Sequence, residues 1–177
     1  MVNVLKRKRP LILALIAALI SPTGAAASAH NGVPATSVIG TWELVSDEFR
    51  RPNGEVIPFP ELGPHARGLL IYDASGRMAV QIMSPDRAPT SFESLKAVGC
   101  DELRAALRGY RGYFGTYRID ARAGSVTHYV TGSAFPAMVG RSLSRQFRLT
   151  GNELVLEAPE RAQGEDGIAV IKWKRVP

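Results

Sequence analysis

Three polar side chains in the second half of the chain, Tyr117, His128 and Arg145, could act together on a small molecule. A guanidinium pairs well with a carboxylate, an enolate or a phenolate. An imidazole can donate or accept a hydrogen bond or move a proton, and a phenol can also donate or accept. These residue types together predict a site for a molecule with one anionic or strongly polar group.

The alternation of side chains predicts that Arg145 faces the interior. Successive residues of a strand point to opposite faces. Arg145 shares a face with Leu143, Phe147 and Leu149, whereas the other face of the same segment is polar. The apolar face is expected to turn toward the core, so Arg145 and Phe147 are predicted to line it.

Three neighbouring strands supply the other candidates. His128 shares a face with the apolar residue Val130, which predicts an inward imidazole. Tyr117 and Tyr113 share a face of the preceding strand and are both candidate ligand contacts. Gln81 lies on a strand with two largely apolar faces and is a further candidate.

Strand register predicts that the three central residues form a level row. If Asp120 pairs with Ser125 across the hairpin between their strands, Tyr117 lies opposite His128. If Gly132 pairs with Arg141 in the next hairpin, Arg145 lies opposite His128 on its other side. Directly opposed side chains have Cβ atoms about 4.5 to 5.5 Å apart.

A structural interpretation of the same residues stays open, because a buried arginine often serves structural pairing. Arg145 would then close the barrel floor beneath Trp42 through a cation–π contact. His128 and Tyr117 would satisfy each other's hydrogen bonds. Trp42 and Trp173, in the first and last strands, are expected to form a core plug rather than to contact a ligand.

Strand and turn patterns predict an all-β domain. The segments predicted as strands are Val38–Phe49, Arg67–Tyr72, Arg77–Ser84, Tyr113–Asp120, Ser125–Ser133, Arg141–Thr150, Glu153–Ala158 and Ile168–Val176. Only Asp101–Tyr110 has helical spacing, with Asp101 as its expected N-cap. Hairpin connections favour an antiparallel sheet, and closure into an up-and-down barrel of about eight strands would remove its exposed edges.

The first 29 residues have the pattern of a secretory signal peptide. Four consecutive basic residues precede an apolar run from Pro10 to Ile20, and small residues lead to Ala29. Because this run is shorter than the roughly 20 residues of a membrane span, a removed signal is favoured over a retained anchor. The expected organisation is a signal peptide over 1–29, a leader over 30–37 and a barrel domain over 38–177, located in the periplasm or secreted.

Charge and composition exclude several classes of function. The formal net charge is +6, and four of these cations lie in the signal segment, which contains no acid, so +2 remains afterwards. The remainder has no basic stripe, so no nucleic-acid partner is expected. The chain has one cysteine and three scattered histidines, so neither a metal site nor a cofactor is expected.

An ordered series of motifs resembles a known family. Gly40-Thr41-Trp42 is similar to the Gly-x-Trp motif at the first strand of lipocalins. The later motifs resemble, in order, those of the bacterial and fungal lipocalin-like domain family: Arg67–Tyr72, Gly76–Met83, Tyr113–Tyr117, Val126–His128 and Gly132–Pro136. The resemblance covers nearly all of Val38–Val176. It implies a small β-barrel with a central cavity that binds or isomerises a small molecule.

Two functions therefore stand as predictions. The favoured one is an exported carrier of a small apolar molecule with one polar or anionic group, with the predicted ligand contacts Tyr117, His128, Arg145, Gln81, Tyr113 and Phe147. The alternative is an isomerase or cyclase in which His128 moves a proton and Arg145 stabilises an enolate, with Tyr117 beside them. A third possibility, a structural module of the cell envelope, would leave the cavity filled by side chains.

Overall fold

The computed structural model describes residues 35–87 and 99–177, so the predicted signal peptide and most of the predicted leader lie outside the described residues. The strands are β1 (Gly40–Arg50), β2 (Val56–Pro58), β3 (Arg67–Tyr72), β4 (Arg77–Met83), β5 (Tyr110–Asp120), β6 (Ser125–Ser133), β7 (Ser142–Thr150), β8 (Glu153–Ala162) and β9 (Glu165–Arg175). The α-helix α1 spans Cys100–Leu107, and short 3-10 helices cover Ala35–Val38 and Pro136–Met138.

The strands form a closed antiparallel barrel. β1 and β3 to β9 pair with their neighbours in chain order, and β9 pairs back onto β1. The short strand β2 adds to the end of β1 and stands outside the ring of eight. The prediction of an all-β, up-and-down barrel of about eight strands with one short helix is confirmed.

A bulge in β1 reverses the alternation of its side chains. Trp42 and Leu44 are buried before it, and the pairing with β9 then shifts between Leu44 and Ser46. An extra residue on one strand exchanges the faces of everything beyond it. Asp47 and Phe49 are consequently buried on the inner side.

Trp42 closes one end of the barrel. Its ring is fully buried, its Nε1–H donates to the Val38 carbonyl at 2.9 Å, and the Arg175 guanidinium lies 4.1 Å above it. Trp173 is also buried in the core, as predicted, although it lines a small interior cavity as well. The cation–π contact predicted between Arg145 and Trp42 is wrong, because Arg175 at the end of β9 occupies that position.

The helix differs from its prediction at both ends. Gly99, not Asp101, is at the N-cap, and Asp101 pairs with Arg104 in the first turn. The helix ends before Gly109, which has a positive φ of 70°. Tyr110 then begins β5 rather than extending the helix, because it pairs with the end of β4.

Candidate functional site

His128 lies at the centre of the barrel interior with both ring nitrogens in hydrogen bonds. It is 1% exposed on β6, between the buried residues Val126 and Val130. Its Nε2 lies 2.6 Å from the Tyr72 hydroxyl, and its Nδ1 lies 2.9 Å from the Tyr113 hydroxyl. The imidazole is therefore held between two phenols, one on β3 and one on β5.

The surroundings of the two tyrosine hydroxyls indicate the tautomer of His128. Within the described part of the chain, the Tyr72 hydroxyl has no hydrogen-bond partner except Nε2, and its side chain is fully buried. In either tautomer one of the two phenols lacks an acceptor for its O–H, and an unsatisfied O–H costs roughly 1 to 3 kcal/mol. Tyr113 borders open space in the barrel interior, where water or a ligand can accept its O–H, whereas Tyr72 does not border that space. We therefore assign Tyr72 O–H as the donor to Nε2 and Nδ1–H as the donor to Tyr113. The shorter 2.6 Å contact also fits an O–H donor and the longer 2.9 Å contact an N–H donor.

Burial keeps this cluster neutral. Desolvation lowers the pKa of His128 well below 6.5, and the positive charge of Arg145 lowers it further. Desolvation also raises the pKa values of Tyr72 and Tyr113 above 10.0. At neutral pH the imidazole and both phenols are thus uncharged, and they act as a fixed hydrogen-bond unit.

Arg145 faces the interior, but the predicted level row is wrong. Val126, not His128, lies opposite Arg145, and Leu143 lies opposite His128. The turn after β6 includes a 3-10 helix, and the pairing of β7 with β6 begins at Tyr129. The register of this pair differs by two residues from the predicted one. A shift of two residues preserves the face, which is why Arg145 remains inward.

Arg111 brings a second guanidinium to the interior, beside a buried carboxylate. Its Nη1 lies 3.7 Å from Oδ2 of Asp47, and its guanidinium lies 3.8 Å from the centroid of the Phe59 ring. Neither carboxylate oxygen of Asp47 has a hydrogen-bond partner among the described residues. Burial raises the pKa of Asp47 from 3.8 to about 6, although Arg111 and Arg145 oppose this shift. Asp47 is therefore a poorly satisfied partner for Arg111.

Two connected spaces adjoin these side chains. An inner cavity of about 30 Å³ is lined by His128 and Trp173, and a cleft of about 550 Å³ opens toward solvent past Phe135 and Met138. The residues that line both spaces are Arg111, Tyr113, Arg145, Leu156 and Ile171. A second cleft of about 540 Å³ lies beside α1, and the inner cavity shares only Arg111 with it. Of the two clefts, the first is therefore the one that adjoins the polar cluster.

Comparison with known proteins identifies the family. A family model described as a lipocalin-like domain matches residues 39–176. The chain belongs to the lipocalin-like domain family. The match spans every strand of the barrel. No curated protein matches the sequence. A lipocalin-like barrel supports the binding of a small molecule in its interior.

The lipocalin-like barrel separates the other predicted ligand contacts. Tyr117 lies opposite His128 as predicted, but its hydroxyl donates to the Asp73 carbonyl at 2.8 Å, so the predicted pairing between Tyr117 and His128 is wrong. Gln81 is exposed and lies outside the interior, which corrects its assignment as a candidate contact. Phe147 is half-buried against the core and lines neither the cleft nor the inner cavity.

Three interior polar residues of this lipocalin-like barrel are not predicted by the sequence patterns. Tyr72 shares the inner face of β3 with Leu70, but both faces of that strand are apolar, so alternation alone did not favour either. Arg111 was placed beyond the predicted helix, before the predicted start of β5. Asp47 is brought inside by the bulge, for which the sequence shows no clear signal.

The described segments of the lipocalin-like domain contain neither a cluster of metal-ligating side chains nor a long apolar helix. Among residues 35–87 and 99–177, no group of three or more His, Cys, Asp or Glu side chains could hold a metal ion. In the same segments, no helix has the length and apolar character needed to cross a bilayer.

Proposed function

We propose that this protein is an exported lipocalin-like barrel that binds a small, mostly apolar molecule whose anionic group lies between Arg145 and Arg111. The observation that carries the proposal is the position of Arg145 and its lack of hydrogen bonds and ion pairs. Its half-buried guanidinium lines both the cleft and the inner cavity and has no hydrogen bond or ion pair with any described residue. Arg145 lowers the pKa of Asp47 but forms no ion pair with it. An inward guanidinium with no hydrogen bond or ion pair in the described chain favours an anion from outside it.

The walls of the cleft support an apolar body for the ligand. The apolar residues that line it are Phe135, Met138, Leu143, Leu156, Ala158, Pro159, Ala169 and Ile171. Ligand sites of this kind combine an apolar lining with a few polar groups that fix orientation. A volume of about 550 Å³ is within the usual range for such sites.

Export is supported by the sequence alone, through the basic and apolar pattern of the first 29 residues. The proposed location is the periplasm or the medium.

The isomerase or cyclase alternative has less support. To act as a general base, His128 must have a ring nitrogen within reach of the proton that it removes. Both ring nitrogens of His128 are already hydrogen-bonded to tyrosine hydroxyls, and the residue is 1% exposed. His128 would have to break one of these bonds before it could accept a proton from a ligand.

Removal of the Arg145 charge is expected to weaken binding of an anionic probe by about ten- to a hundredfold, the worth of hydrogen bonds to a charged group. We suggest titrating 1-naphthylacetate into the wild type and Arg145→Leu, with calorimetry as the readout. The uncharged analogue 2-(1-naphthyl)ethanol should bind both proteins with similar affinity.

Arg148→Leu provides the matched control, because Arg148 lies on the same strand with its side chain 69% exposed. This variant should bind 1-naphthylacetate as the wild type does. Equal affinity of Arg145→Leu and Arg148→Leu for the anion would reject the proposed role of Arg145.

A further inference from the structure

We infer that the Tyr113 hydroxyl is a further donor to the anionic group, so that the ligand is a carboxylate whose head points inward to the small cavity. This inference rests on the proposed function and specifies its ligand class. It starts from the proton positions in the cluster of Tyr72, His128 and Tyr113.

The proton of the Tyr113 hydroxyl is free to meet a ligand. Because Tyr72 donates to Nε2 of His128, the imidazole proton is on Nδ1 and is donated to the Tyr113 oxygen. Tyr113 has no acceptor for its own O–H in the segments that the structure describes. The residue lines both the inner cavity and the cleft, so this O–H has access to a molecule that enters from the mouth.

The inner cavity offers donors and hardly any acceptors. Its polar lining residues are Arg111, Tyr113, His128, Arg145 and Trp173, and the remaining ones are aliphatic. His128 uses both ring nitrogens within the cluster. A ligand O–H or N–H would therefore find no free carboxylate or amide acceptor there, whereas a deprotonated oxygen would find two guanidiniums and one phenol.

The sizes of the two spaces fix the orientation of the ligand. A cavity needs about 10 to 15 Å³ to hold one water-sized group, so about 30 Å³ accommodates two such groups. Two oxygens of a carboxylate match this space, and an aromatic ring system does not. The apolar body must then remain in the cleft of about 550 Å³, with the head inward and the tail toward the mouth.

The assignment of the His128 proton to Nδ1 can be tested in the wild-type protein. A long-range proton–nitrogen NMR spectrum distinguishes the two tautomers of a neutral histidine. The chain has three histidines, and His30→Gln and His65→Gln variants would assign the signals of the other two. We expect His128 to carry its proton on Nδ1, and a proton on Nε2 would overturn the inference.

Tyr113→Phe tests the donor itself. Loss of this hydroxyl should weaken 1-naphthylacetate binding about tenfold or more, because the lost hydrogen bond is to a charged group. It should weaken 2-(1-naphthyl)ethanol binding less, because the oxygen of that probe is neutral. Tyr129→Phe is the control, since Tyr129 is 39% exposed on β6 and should have no effect.

The outcomes separate this inference from the proposed function. If Arg145→Leu weakens binding of the acid and Tyr113→Phe does not, the head position is wrong and the anion-binding barrel stands. If the wild type binds neither probe saturably, the proposed function itself is overturned. If Tyr113→Phe does not fold, the tautomer measured in the wild type still decides the inference.

Discussion

Asp47→Asn is expected to raise the free energy of unfolding at pH 8 by up to about 3 kcal/mol. The carboxylate is buried on the inner side of β1, and neither of its oxygens has a hydrogen bond among the described residues. Burial raises its pKa to about 6, with smaller contributions from Glu160 and Glu48, while Arg111 and Arg145 act in the opposite direction. The ionised form is therefore costly in the folded state, and asparagine removes that cost.

The direction of the pH dependence follows from proton binding. With a folded pKa of about 6 against an ordinary value of 3.8, the folded protein holds this proton more tightly than the unfolded chain. Stability therefore falls as the pH rises from about 4 to 6, and the full cost is present above that window. The advantage of Asp47→Asn should accordingly be large at pH 8 and nearly absent at pH 4.

Urea unfolding of the wild type and the variant at both pH values would measure this effect. Glu43→Gln is the matched control, because Glu43 is exposed on the same strand. This control should change stability by only a few tenths of a kcal/mol. An Asp47→Asn protein no more stable than the wild type at pH 8 would show that the carboxylate is better satisfied than its surroundings indicate.

Trp42→Ala is expected to lower the free energy of unfolding by about 3 to 5 kcal/mol. The variant loses a fully buried indole, its hydrogen bond to the Val38 carbonyl and the ring beneath the Arg175 guanidinium. Such a loss approaches the total stability of many small domains. Trp42→Phe keeps a ring in the same place and should lose much less.

The same pair of variants distinguishes the closed end from the binding end. Trp42 lines neither the cleft nor the inner cavity. Folded Trp42→Phe should therefore bind 1-naphthylacetate within about twofold of the wild type. A tenfold loss of affinity in Trp42→Phe, at unchanged fold, would mean that the indole contacts the ligand after all.

The barrel was predictable because its determinants are local. Period-two alternation and short turns mark most strands, and β3 and β6 have the predicted bounds at both ends. The turn between β5 and β6 has four residues, and the predicted pairing of Asp120 with Ser125 is confirmed. With that register, the inward position of His128 followed from alternation with its aliphatic neighbours.

The rest of the site depends on contacts between distant segments. The partner of Arg145 across β6 and β7 depends on the turn after β6. This turn contains a 3-10 helix, which the alternation of side chains in the sequence does not reveal. Asp47 reaches the interior only because of a bulge that shifts the pairing of β1 with β9 between Leu44 and Ser46, just beyond the part of β1 that pairs with β3. Tyr72 contacts His128 across 56 positions of sequence, a distance over which no local pattern carries information.

A crystal structure of the protein soaked with 4-bromo-1-naphthylacetate would test the anion-binding barrel most directly. The anomalous signal of bromine locates the ring, and the density of the carboxylate locates the head. We expect the bromine in the cleft between Met138 and Ala169, with the carboxylate within hydrogen-bond distance of Arg145. Bromine bound only on the outer surface, with Arg145 turned to solvent, would contradict the account.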